Sequence, residues 1–323
     1  MRVAFLLVPQ FSMMSFASAI EPLRAANRLA GRPLFQWQLL STDGAAVPAS
    51  NGIVVAVDLA LERLDRSEVL LICMGLDPLQ CHADRALHNR LRLLAARGMR
   101  IGGISTASFL LAEAGLLTGK RCTVHWEYAE RFRKRYPAIE LLDDLFVIDG
   151  KICTCSGGTA AMDMVLDFIR EASGEELAAG AAEQFIHPRI RPQGDPQRMA
   201  VRARYPQASA RLLRIIAQME SAALRGAPPL AQIAARNGIS LRHMERLFRG
   251  ELNVSPRSFY VKLRLDRSRM LLATTTASIF EVAIETGFKS ASHFSHTYKR
   301  VFGFAPREER TRTRNAAPPA ERS

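Results

Sequence analysis

The stretch GGISTASFLLAEAGLL, residues 102–117, passes from a short apolar run through small residues into a helix-period pattern, and it puts a hydroxyl, Ser105, at the bend. Gly102 and Gly103 before Ser105, and Ala107 after it, leave room for the sharp turn that lifts a side chain to the carboxyl edge of a sheet. An acyl-transfer serine also needs a base within hydrogen-bond reach and an acid to orient that base. His82, His88, His125 and His187 are the histidines of this part of the chain, and spacing alone pairs none of them with Ser105. The elbow therefore admits two readings: a serine hydrolase or amidase, or a pocket that binds without breaking bonds. Cys153 and Cys155 lie two apart and would share one strand face, but with no CxxC and no histidine at ligand spacing they make a poor metal or redox site. Five cysteines (Cys73, Cys81, Cys122, Cys153, Cys155) are an odd number, and four lie in or beside apolar runs, as reduced core thiols of a cytoplasmic protein do.

The elements that must hold such an elbow can be read from periodicity. RVAFLLV, FQWQLLS, VLLICMG and MRIGGI are short apolar runs, while Ser15 to Leu29 and Asp84 to Arg97 place apolar residues three and four apart. This alternation predicts an α/β domain, a parallel-rich sheet flanked by helices. LFVIDGKICTC, 145–155, predicts a hairpin turning at Asp149-Gly150, and GGTAAMDMVLDFIREA predicts a helix from residue 157. MRVAFLLVP reads as a first core strand, too short and too weakly flanked for a signal peptide, and no apolar run reaches membrane length, so no membrane partner is expected.

Charge splits the chain. Residues 198–323 hold 23 Lys and Arg against 9 Asp and Glu, a net +14, whereas residues 1–197 hold 21 against 22. A basic field confined to one third favours a polyanion over simple solubility. In that third, PPLAQIAARNGISLRHMERLFRGELNVSP, 228–256, puts Leu230, Ile233 and Ala234 on one helical face. A turn follows at Gly238, and Ser240 then caps a helix whose Met244, Leu247 and Phe248 face inward. That is a helix-turn-helix pattern. It recurs: Ile233, Ala234 and Gly238 are matched 49 residues on by Val282, Ala283 and Gly287. Ser240, Met244, Phe248, Leu252 and Pro256 are matched 50 residues on by Ser290, Phe294, Tyr298, Phe302 and Pro306. Two copies in a basic segment predict an all-α domain reading double-stranded promoter DNA, rather than a nucleoid-type protein without sequence preference. Pro256 to Leu272 would be one helix bracing the two units about one DNA turn apart.

On the first recognition helix Arg242, Glu245 and Arg246 point outward, suited to guanine and cytosine edges. On the second, Ala291, Ser292, His293, Ser295 and His296 hold the outward or front positions, and Lys289, Lys299 and Arg300 are placed to meet phosphates. Arg264, Arg267 and Arg269 on the brace are expected to form internal ion pairs with Asp266 or Glu281. Between the two parts, residues 188–207 are rich in proline and arginine and read as a linker, and TRTRNAAPPAERS from Thr311 as a disordered tail. The predicted organisation is a first domain at 1–187, linker 188–207, DNA-binding domain 208–310 and tail 311–323.

Through SAIEPLRAANRLAG at 18–31, GGISTASFLLAEAGLL, and CTVHW at 122–126, the first 185 residues resemble the PfpI-like, class I glutamine amidotransferase-like domain in its GlxA-type regulator form. Through LRLDRSRMLL at 263–272 and GFKSASHFSHTYKRVFGFAP at 287–306, about 100 residues resemble the AraC/XylS-type DNA-binding domain. The resemblance implies a flavodoxin-like first domain. Enzymes of that fold carry a cysteine at the elbow, often followed by histidine, with a carboxylate nearby from the loop after the first strand. Here Ser105-Thr106 stands at the elbow and Phe11-Ser12-Met13-Met14-Ser15 in the loop, so no catalytic residue and no cofactor is expected. The implied function is ligand-responsive transcriptional regulation, an activator of the catabolism of small nitrogen metabolites such as arginine, carnitine or betaines. The first domain would dimerise, and RNA polymerase would be a further partner. A cationic nitrogen favours an aromatic wall, which nominates Trp126 beside His125, with Glu21 as charge partner and Ser105 and Thr106 lining the pocket. Trp37, inside a predicted strand, reads as core.

Overall fold

The computed structural model describes residues 1–76, 78–79, 84–198, 201–224, 227–275 and 277–309. Cys81, His82 and the expected tail lie outside them. The chain forms two compact units, Met1–Arg198 and Met199–Ser323.

In the first unit β1 (Arg2–Leu7), α1 (Met13–Ala30) and β2 (Gln36–Ser41) are followed by a small hairpin, β3 (Val47–Pro48) and β4 (Val54–Val55). Next come β5 (Leu59–Ala60), β6 (Val69–Cys73), α2 (Arg85–Ala96), β7 (Arg100–Ile104), α3 (Ser108–Glu113) and β8 (Arg121–Cys122). The unit continues through α4 (Ala129–Arg135), β9 (Glu140–Leu141), β10 (Phe146–Asp149) and β11 (Ile152–Cys155), and ends with α5 (Ala160–Ser173) and α6 (Glu175–Glu183). Seven strands make one sheet in the order β10-β11-β7-β6-β1-β2-β5, parallel except for β10. β6, VLLIC, is buried at every residue, as a central parallel strand covered on both faces must be. Alternate side chains of β1 divide between two cores: Val3, Phe5 and Leu7 pack with α1, α5 and α6, and Ala4 and Leu6 with α2, α3 and α4. Trp37 packs half-buried against the first of these. Because β1, β6, β7 and β11 run the same way, the loops that follow them gather at one edge.

The hairpin pairs Asp149 with Ile152 and so turns at Gly150-Lys151, one residue later than the expected Asp149-Gly150. The helix after it begins at Ala160, three residues later than its sequence suggests, because Gly157 (φ +89°) and Gly158 (φ +55°) take left-handed conformations that no helix admits. Residues 188–198 differ from the expected linker. Asp163, fully buried in the first turn of α5, has Oδ1 2.8 Å from His187 Nε2 and accepts the Arg191 backbone N–H at 2.8 Å and Arg191 Nε at 2.9 Å. The Leu145 N–H donates to the carbonyls of Gln193 and Asp195. Gln197 Nε2 reaches Thr123 Oγ1, Val124 O and Asp144 O at 2.8–3.0 Å. A composition typical of solvated chain is here a strap, because a buried carboxylate, the Thr123 hydroxyl, two carbonyls and the Leu145 N–H give its polar groups partners.

The second unit is helical: α7 (Val201–Arg204), α8 (Ala210–Leu224), α9 (Leu230–Arg236), α10 (Leu241–Leu252), α11 (Pro256–Thr274), α12 (Ile279–Glu285) and α13 (Ala291–Phe302). One core joins α8, α9 and α10 through Ile215, Met219, Ile233, Met244 and Phe248 and takes Tyr260 from α11. The other joins α12 and α13 through Val282, Phe288, Phe294 and Tyr298 and takes Leu265 and Leu272 from the same helix. At 19 residues α11 is about 28 Å long. Its arginines fasten it, though not to the acids expected. Arg267, 5% exposed, donates to Ala223 O (2.7 Å) and Glu285 Oε1 (3.1 Å). Arg264 donates to Thr286 O and stacks on Phe288, and Arg269 pairs with Glu309. Asp266 is taken by Lys262 one turn away, and Glu281 closes the capping box of α12. None of the described helices is long and apolar enough to cross a membrane.

Candidate functional site

β7 ends at Ile104 and the chain turns at once. Ser105 has φ +65°, a conformation costing a non-glycine residue about 1–2 kcal/mol. It is held there from two sides: its N–H donates to Cys155 O (2.9 Å), and its carbonyl accepts the His125 N–H (3.3 Å). The first turn of α1 and the loop after β11 close on the same point. Ser15 Oγ accepts the Gly158 N–H at 2.7 Å, and a β-carbon placed on Gly157 would stand 2.8 Å from Ser105 Cβ and 3.0 Å from Ser15 Oγ. Ser105 is 7% exposed. Thr106 is fully buried and its hydroxyl donates to Gly75 O at 2.7 Å, so it ties down the loop after β6 and presents nothing to a ligand. The buried thiols Cys153 and Cys155 are pushed up to about 12 by desolvation, which leaves them un-ionised and unreactive at neutral pH.

Beside the elbow, burial lowers the His125 imidazole below its ordinary value, with the Glu127 carboxylate at 3.8 Å pulling the other way. Its Nδ1 accepts the Glu127 N–H (3.4 Å), which places the ring proton on Nε2. Trp126 is 44% exposed and lies 5.6 Å from the His125 ring, centroid to centroid. The guanidinium of Arg198 sits over its indole, 4.7 Å from the centroid. Glu21 lies on α1 in an ion pair with Arg24 at 2.7 Å, a local partnership in place of the expected one with the tryptophan site.

In the second unit the two helix pairs repeat each other to the level of their caps. Ser240 Oγ accepts the His243 N–H and Ser290 Oγ the His293 N–H, each at 3.2 Å. The turns before them bend at Gly238 (φ +64°) and Gly287 (φ +80°). With Met244 and Phe248 buried, Arg242 and Arg246 are exposed; Glu245 is half-buried and held by Arg249 at 3.3 Å. With Phe294 and Tyr298 buried, Ser292, His293, His296, Lys289, Lys299 and Arg300 are exposed, and Ala291 and Ser295 half-buried. All the outward positions read from the sequence thus lie on the surface or partly so. Leu241, an exposed leucine at the first position of α10, was not among them.

The DJ-1/PfpI family matches residues 1–171, and a helix-turn-helix domain family matches residues 233–312. Over 95% of its length the chain is 44% identical to the HTH-type transcriptional regulator CdhR of Pseudomonas aeruginosa, 90% of which is covered. Over 97% of its length it is 39% identical to the HTH-type transcriptional regulator GlxA of Rhizobium meliloti, 96% of which is covered. The chain belongs to the GlxA-type regulators of the AraC/XylS family. A crystal structure of an AraC family transcriptional regulator from Pseudomonas putida is similar to this GlxA-type regulator at a TM-score of 0.52 and 33% identity, covering 57% of this chain and 98% of that one. As a regulator it is a DNA-binding protein rather than an enzyme, and the first turn of α1 brings the Ser15 hydroxyl to its elbow. The structure joins Ser105 to Ser15, Gly157 and His125. Only the last is visible in a motif, and the Gly157 contact spans 52 residues of sequence and has no local signal.

Proposed function

We propose that the first unit of this ligand-responsive regulator senses a small organic cation at the carboxyl edge of its sheet. Occupancy then activates genes for the catabolism of arginine-, carnitine- or betaine-like metabolites. The observation that carries this reading is the exposed indole of Trp126 next to an elbow that has kept its strained geometry without an activated nucleophile. Desolvated aromatic faces attract organic cations by up to about 2 kcal/mol. Ser105 and the neutral His125 supply a hydroxyl and an Nε2 donor for the polar end of such a molecule. The second unit reads two boxes on one face of duplex DNA. Arg242, Arg246 and Leu241 serve the first box; Ala291, Ser292, His293, Ser295 and His296 the second; and Lys289, Lys299 and Arg300 grip phosphate. Pairing through the first unit gives a homodimer, and bound at a promoter it recruits RNA polymerase.

Thermal unfolding of the whole protein with arginine, carnitine or glycine betaine, against analogues that lack the cationic nitrogen, tests the ligand class. Binding at a hundred times its dissociation constant adds about 2.7 kcal/mol to the folded state, a rise of about 5–11 °C for a unit of this size. Stabilisation by a metabolite without a cationic nitrogen, and by none of these three, would overturn it.

A further inference from the structure

The face of Trp126 already holds a cation that belongs to the chain itself. Arg198 is the last residue of the first unit, half-buried, with its guanidinium over the indole at 4.7 Å. The residue before it, Gln197, anchors its amide nitrogen to Thr123, Val124 and Asp144. Those bonds deliver Arg198 to the tryptophan, because Val124 precedes His125-Trp126 directly. The Gln197 carbonyl oxygen is buried and has no hydrogen-bond partner among the described residues. A buried acceptor left unmade costs free energy, and an incoming N–H donor satisfies it. From Arg198 the chain passes directly into the DNA-reading unit.

We infer that Arg198 is a built-in stand-in for the effector: a small organic cation bearing N–H groups, of guanidinium or alkylammonium type, takes the Trp126 face by displacing it. Displacement releases the end of the strap from which the second unit continues. The signal then leaves the pocket along the chain itself and needs no relay through the sheet. The inference rests on the proposed cation-sensing role of Trp126, and it adds a competitor whose removal has a definite sign. The cation–π contact alone, at about 1 kcal/mol, leaves the seat open in at most about one molecule in six, and apparent affinity falls by that fraction.

The test uses the full chain with Trp37→Phe, so that Trp126 is the sole tryptophan, and methylguanidinium as probe, with N-methylurea as its neutral counterpart. Arg198→Ala is expected to bind methylguanidinium at least about sixfold more tightly than the parent, read by tryptophan emission, and Arg198→Lys to stay within about twofold. N-Methylurea is expected to bind neither. Equal affinity in parent and Arg198→Ala would overturn the stand-in and leave Trp126 sensing intact. Calorimetric binding unchanged by Trp126→Leu, binding of N-methylurea as tight as that of the cation, or no binding even to Arg198→Ala, would overturn the seat together with the stand-in.

Discussion

Gly157 is where the elbow is most sensitive to a single methyl group. Substituting alanine there has two costs. The backbone stands at φ +89°, and a side chain in that half of conformational space costs about 1 kcal/mol over glycine. The new β-carbon also lands 2.8 Å from Ser105 Cβ, 3.0 Å from Ser15 Oγ and 3.1 Å from Ser105 Oγ, none of which is the loose end of a long side chain. Overpacking of that kind adds about 1–3 kcal/mol. Gly158 is the control: at φ +55° with nothing within 4 Å of its virtual β-carbon, Gly158→Ala carries the backbone cost alone. Both tryptophans, Trp37 and Trp126, lie in the first unit, so emission during urea unfolding reports that unit specifically. The expected order is wild type, then Gly158→Ala about 1 kcal/mol lower, then Gly157→Ala about 2–4 kcal/mol lower. Ser105→Gly removes two of the three close contacts. It is expected to be nearly neutral alone, since relief of its own strain is offset by unfolded-state entropy, and to recover about 1–3 kcal/mol in the Gly157→Ala background. If Gly157→Ala cost no more than Gly158→Ala, or if the double variant were simply additive, the convergence of the two loops would be refuted.

Three further outcomes are expected. Arg246→Ala should lower affinity and relax base preference at the first box by about 1–3 kcal/mol, whereas Lys299→Ala should weaken cognate and random duplexes alike and flatten the salt dependence; matching specificity profiles would count against the assignment. Gly287→Ala should destabilise the second unit more than the repeat-equivalent Gly238→Ala, because its β-carbon would meet Ala227 Cβ at 2.6 Å while that of Gly238 meets nothing within 4 Å; helical circular dichroism during thermal unfolding ranks them. His125, lowered in the folded state by burial, contributes its full share of stability above its unfolded value of 6.5 and loses it as pH falls toward the folded value, since the unfolded chain then binds more protons. Urea unfolding between pH 7.5 and 5.5 should show this slope, and His125→Gln should reduce it.

The parts legible in the sequence were those with short-range causes. Apolar runs set between helix-period stretches announce a covered parallel sheet, Asp149-Gly150 its hairpin, and the matching serine caps and glycine turns the doubled DNA reader. Long-range partners carry no such mark. Arg191 looks like a linker residue until Asp163 is found buried beside it, and the brace arginines choose Glu285, Glu309 and backbone carbonyls over the acids near them in sequence. Thr106 illustrates the same limit: its hydroxyl is spent on Gly75 O, a choice settled by the path of another loop.

α11 lends its first half to one core and its second half to the other, so on the proposed two-box reading it works as a ruler for the promoter. Inserting one base pair between the two boxes rotates the second by about 34° and moves it about 3.4 Å along the axis, and a helix packed at both ends offers no hinge to follow it. On that reading, promoters of this protein can change their bases by single mutation, but the distance between boxes is to be copied unchanged from one to the next. A shift in spacing has to be absorbed by bending the DNA.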